Sequence, residues 1–212
     1  METWSHDGKL YEVTSGYSHP DDAWQYELVG LTGPPGAGPY LSVSIPDATP
    51  DGPFTPRPTG HVVVHADGGT VPWVVLEKLL RLLDSSGDLV DEHRDLSPTA
   101  TALPLTLTIW SHHDQRFQVS HFHDGDADSW IYELYEVDPA NTGNNYIDAR
   151  VPDERSESGP FVPMSAEHVT LTMHGRSTFP WPVFRRFLDA IRAAGDIVGS
   201  TGEPGQRRQP SR

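Results

Sequence analysis

The chain has 212 residues and a mass of 23.4 kDa, enough for one large domain or two small ones with a sizeable core. Its 30 acidic residues against 15 basic ones leave a formal net charge of −15, a body that repels phosphate and excludes nucleic acid and anionic membranes as partners. Cysteine is absent, which excludes disulfides and thiol chemistry, and no apolar run approaches the ~20 residues of a membrane span, so a soluble, cytoplasmic protein is expected.

In chain order, Leu10–Thr14 is the first β-rich stretch, and Gly16–Asp22 supplies turn residues. Trp24, Tyr26 and Leu28 then alternate with Gln25 and Glu27, the period of a half-buried strand. Gly33–Pro39 holds too much Pro and Gly for a helix or a ladder and is expected as a loop. Tyr40–Ile45 reads as a third strand and His61–His65 as a fourth. Thr70 is expected to cap a helix with Pro72 in its first turn, where a missing N–H costs nothing. That helix places Val75, Leu76, Leu79, Leu80 and Leu83 on one stripe, and Gly87 closes it. Asp91–Asp95 is a charged exit and Ser97–Ala102 a linker. Leu103–Ile109 resumes as a strand leading into Trp110; almost nothing precedes Trp4, so the matching strand there is expected to be short or missing. A second helix carries Val183, Phe184, Phe187, Leu188 and Ile191 and ends at Gly195. Residues 201–212 are low in apolar side chains and are expected to be disordered.

The two helices belong to a larger pattern. Trp4-Ser5-His6 returns as Trp110-Ser111-His112, and Trp24, Tyr26, Glu27 and Leu28 return as Trp130, Tyr132, Glu133 and Leu134, both 106 residues later. Single-residue shifts then carry Gly52-Pro53-Phe54 and His61-Val62 onto Gly159-Pro160-Phe161 and His168-Val169, and Trp73 onto Trp181. Identities number 26 in 83 aligned positions, where unrelated chains of ordinary composition give roughly one in sixteen. All six tryptophans fall into three matched pairs. The expected fold is therefore α+β: a tandem duplication of a ββββα unit, with antiparallel sheets each covered by one C-terminal helix in a pseudo-two-fold arrangement. The expected boundaries are 1–96 for the first unit, 97–103 for the linker, 104–199 for the second unit and 200–212 for the tail.

Eleven histidines without cysteine raise the question of a metal. His121 and His123 share one strand face, and Asp124, Asp126 and Asp128 follow, a donor set that a divalent metal would use. The bland alternative is a polar hairpin tip, since Ser18–Asp22 stands in the same place of the first unit. The segment also lacks the glycine and the terminal glutamate of a calcium loop. The shared histidines His6, His112, His61 and His168 could join Glu27 and Glu133 as two His–carboxylate sets, or serve the fold alone. Trp24 and Trp130 are candidates for a binding groove as well as for the core. No nucleophile elbow, phosphate-binding glycine loop or dinucleotide motif occurs, and Pro34 and Pro35 remove the N–H donors that a phosphate cradle needs.

The expectation is a non-catalytic intracellular binding module, immunity-like or adaptor-like, engaging a basic protein partner and using no cofactor. The competing expectation is a metal-dependent protein or enzyme built on the histidines and carboxylates above. Departures between the two units mark where a working half would differ, with His121–Asp128 and Gly33–Pro39 each elaborated in one copy only.

Overall fold

The computed structural model describes residues 1–32, 38–91, 108–137, 146–155 and 160–199. The expected linker at 97–103, the start of the strand expected from Leu103, the core of the Gly33–Pro39 loop and the tail from 200 lie outside the described residues.

The chain opens with a hairpin of β1 (Glu2–His6) and β2 (Lys9–Ser18), turned at Asp7 and Gly8, both at positive φ. A complete strand thus stands where a short or missing one was expected. Trp4 pairs with Tyr11 across that hairpin, and its packing against the core gives the five residues a reason to be ordered. β3 (Ala23–Gly30), β4 (Tyr40–Pro46) and β5 (Val63–Asp67) extend the meander, with a 3₁₀ turn at Thr59–His61 before β5. β6 (Thr70–Pro72) leads directly into α1 (Trp73–Ser86).

The second half runs through β7 (Thr108–His112), β8 (Gln115–Asp124), β9 (Ser129–Glu136), β10 (Tyr146–Pro152), β11 (Thr170–His174) and β12 (Arg176–Pro180) into α2 (Trp181–Ala194). The class is α+β, with two antiparallel sheets of six strands among the described residues rather than two sets of four. Among the described residues no helix is long and apolar enough to cross a membrane.

The sheets exchange strands. Their orders are β1-β2-β3-β4-β5-β12 and β6-β11-β10-β9-β8-β7, so the last strand of each half completes the sheet of the other. β5 and β6 form one bent strand turned at Gly68 and Gly69, and β11 and β12 form another turned at Gly175. The two bent strands meet at their corners, where the Gly68 amide donates to the Gly175 carbonyl and the Met173 amide to that of Gly69. Strands that switch sheets at such bends make the corners of orthogonal packings.

This arrangement removes the expected cap. Thr70 is a ladder residue paired with Thr172, and their hydroxyls lie 3.2 Å apart. Pro72 and Pro180 precede the helices and offer no capping oxygen. The first helical amides are satisfied across the halves instead: Trp73 donates to the Val169 carbonyl and Trp181 to that of Val62, each at 2.8 Å.

Each helix therefore starts on the sheet of the other half and ends near its own. α2 lies against the 3₁₀ turn, β5 and β12, yet just past its end Asp196 accepts a hydrogen bond from Tyr132 of β9. Asp88, after α1, accepts likewise from Tyr26 of β3. The expectation of one helix over its own sheet is corrected in this respect. The expected stripes are buried on both helices, and Gly87 and Gly195 close them at φ 80° and 82°. Both halves contribute to one continuous core, in which each buried Leu or Phe is worth roughly 1.5–3 kcal/mol.

Candidate functional site

The residues singled out from the sequence do not converge on one place. His121 and His123 share the inner face of β8 as expected, but their rings flank Trp130 at 5.3 and 5.7 Å, and His121 also stacks on Tyr132 at 5.6 Å. Burial lowers the pKa of His121, with Asp196 pulling the other way. Asp124 belongs to the opposite face of β8, 4.0 Å from Arg150, while Asp126 and Asp128 sit in the hairpin turn. His6 lies 3.6 Å from Asp7 at the first hairpin. His61 and His168 are exposed, the latter against the Ser165 hydroxyl at 3.2 Å. His112 is pushed down by burial and by His113, with the Gly60 carbonyl opposing. Among the described residues no three His, Asp or Glu side chains form a group that could hold a metal ion.

Several shared positions turn out to hold loops and packing. Trp24 and Trp130 are half-buried and meet Phe54 and Phe161 at 5.6 and 6.0 Å. Glu27 accepts from the Thr14 and Tyr40 hydroxyls, and Glu133 from that of Ser120. Tyr132 and Asp196 make the counterpart of the Tyr26–Asp88 pair, and burial raises the pKa of both Tyr132 and Asp196.

The outer face of the second sheet is different. Strand alternation turns Tyr132, Leu134, Ile147, Ala149, Leu171 and Met173 inward, which leaves Ile131, Glu133, Tyr135, Tyr146, Asp148, Arg150, Thr172 and His174 outward. At matching positions the first half has Gly16, Gln25, Ser42 and Asp67, where the second has Phe122, Ile131, Asp148 and His174. Phe122 is 44% exposed, and Ile109 on β7 is 48% exposed. Ile131, opposite Phe122 and Arg150, is buried without joining the core cluster, so it belongs to a separate apolar patch on this face.

Next to that patch the row Ser120–Glu133–Asp148–Thr172–Thr70 crosses five strands in register. Asp148 is only 6% exposed; one of its oxygens takes a hydrogen bond from His174 and the other is buried without a partner. Tyr146 and His174 stack at 4.1 Å with ring planes 11° apart. Sequence reasoning placed Glu133 in a candidate site and missed Asp148, Tyr146, His174 and Phe122. The signal that could have found them lies in the outward-facing strand positions at which the halves differ.

Chemically, the face combines an exposed aromatic side chain, carboxylate acceptors and a flat ring stack. The chain matches no protein-family model, no curated protein and no solved structure.

Proposed function

We propose that the chain arose by tandem duplication of one strand-rich unit and that it is a non-catalytic module binding a basic protein through the outer face of its second sheet. One observation carries the reading: the buried core positions are alike in the two halves, whereas on this face, where Glu27 and Tyr40 recur as Glu133 and Tyr146, the first half's Gly16, Gln25, Ser42 and Asp67 give way to Phe122, Ile131, Asp148 and His174. Phe122 and Ile109, both exposed on this face, are apolar side chains that a partner can cover.

The partner's chemistry follows from charge. Five of the fifteen cations sit on α1 and α2, whereas the hairpin tip beside Phe122 carries Asp124, Asp126 and Asp128. A ligand that places an apolar side chain on Phe122 therefore meets carboxylates at its flanks. Arg or Lys beside an aromatic or aliphatic residue suits both, and the net charge of −15 steers such a ligand toward the protein.

Selection of a random-peptide display library on the immobilised protein tests this and requires no candidate partner. Enrichment of basic residues flanking an apolar one is expected, with binding that weakens as salt rises. Phe122→Ser should weaken the selected peptides by at least about 2 kcal/mol, roughly thirtyfold, as for a central anchor, and leave the melting temperature nearly unchanged. A library that yields acidic or purely apolar peptides, or peptides indifferent to Phe122→Ser, overturns the reading.

A further inference from the structure

His112 ends β7, the edge strand of the second sheet, and its ring meets Gly60 in the 3₁₀ turn of the first half. Its Nε2 is buried and has no hydrogen-bond partner among the described residues. The Gly60 carbonyl therefore belongs to Nδ1, which carries the proton, and Nε2 holds the lone pair. A proton added at Nε2 makes a buried, charged donor with no acceptor, a costlier state than the neutral ring.

The first half has the same hairpin with a different neighbour. His6 and His112 are matched positions, but Asp7 follows the one and His113 the other, at φ 47° and 49°. Asp7 lies 3.6 Å from the His6 ring and pairs with it when it is protonated. His113 instead meets the His112 ring edge-on with centroids 4.4 Å apart, where two imidazoliums repel. Burial lowers the pKa of His112 and His113 adds to the lowering, against the Gly60 carbonyl. Of the other charged groups on the elements that meet here, Asp114 of the turn, Arg116 of β8, His61 of the 3₁₀ turn and Arg186 of α2, none offsets it. Among the described residues β7 has β8 alone beside it, so it is the strand that loosening at His112 frees.

We propose that the His112–His113 end of β7 is an acid-sensitive clasp, which in mild acid releases the 3₁₀ turn of the first half and lets β7 fray, while the matched His6–Asp7 hairpin stays closed. The released ring takes the proton that the closed one refuses. Above pH 6.5 both states are neutral and the clasp is at full strength. Below it the open fraction rises by up to roughly tenfold per pH unit, until His112 titrates in the closed state as well.

Amide hydrogen exchange of the full chain from about pH 7.5 to about pH 5, corrected for the intrinsic pH dependence of exchange, tests this. Trp110 and Phe117 report on β7, and their counterparts Trp4 and Tyr11 report on β1. Protection at Trp110 and Phe117 is expected to fall several-fold below pH 6.5 while that at Trp4 and Tyr11 holds. His113→Asp, an exposed change that installs the residue of the first half, should remove most of that fall and leave the melt at neutral pH unchanged. His112→Asn, a side chain without a titrating group that keeps a donor for the Gly60 carbonyl, should flatten the profile too. Protection of β7 that is indifferent to pH, a fall shared equally by β1, or either variant fraying as the parent does overturns the clasp.

Discussion

Asp47 closes a loop by accepting the amides of Thr49 and Thr55 on one oxygen and the Tyr17 hydroxyl on the other. Burial alone would raise its pKa, but these donors outweigh it and hold the carboxyl below the usual carboxylate range. Asp153 does the same in the second half: the Arg155 amide lowers its pKa, burial opposes, and the Val162 amide adds to the lowering. A carboxylate with a depressed folded pKa contributes stability that is complete above its unfolded value, near 3.8, and is lost as pH falls through the lower folded one. Asp47→Ala and Asp153→Ala should therefore lower the melting temperature at neutral pH and flatten the acid limb of the stability profile. Faster amide exchange at Thr49 and Thr55 in the Asp47→Ala protein would locate the effect. Both residues were visible as the matched Pro46-Asp47 and Pro152-Asp153, but their task was not, because the amides they accept lie in loops whose path periodicity does not describe.

At the scale of elements, the helices show how two similar segments are made to prefer each other. Arg185 of α2 meets Asp84 of α1 at 3.1 Å, and Arg192 meets Glu77 at 3.7 Å, so the helices run antiparallel side by side. Arg192 also lies over the Trp73 ring at 5.4 Å, and Arg186 over Trp110 at 4.5 Å. Glu77 and Asp84 stand at the positions that Arg185 and Arg192 occupy in the other half. Two copies of α1 paired in this geometry would oppose Glu77 to Asp84, and two copies of α2 would oppose arginines, so unlike pairing is favoured by attraction and like pairing is penalised. The combined variant Arg185→Glu, Arg192→Glu should lose about 1 kcal/mol per pair by urea unfolding, since these partly exposed pairs are screened. Adding Glu77→Arg and Asp84→Arg should restore much of that loss; a quadruple variant no more stable than the double would show that the pairs carry no specificity. The apolar stripes and the closing glycines were legible because helical spacing is local. The pairing was not, because it depends on which helix lies alongside.

Across the whole molecule, the decisive feature is the corner at which the sheets exchange strands. Gly69 sits there at φ 78°, and a Cβ on it would fall 2.8 Å from the Cα of Pro39. Gly68 has φ 60° but open space around it. Gly69→Ala should thus cost about 1–3 kcal/mol in urea unfolding, for strain and collision together, and Gly68→Ala clearly less. Equal losses would show that backbone conformation alone matters at the bend. By itself the sequence determined the inward residues of β3, α1 and α2, the closures at Gly87 and Gly195 and the class of fold, because burial periodicity and glycine chemistry act over a few residues. Only the tertiary structure decided that Thr70–Pro72 is a strand rather than a cap and that β6 and β12 cross to the opposite sheets. A three-residue strand carries too little pattern to declare itself, and its hydrogen-bond partner, Thr170–Thr172, lies about a hundred residues away. The same holds for the outer face: Glu133, Asp148 and His174 are far apart along the chain, and strand register alone sets them side by side.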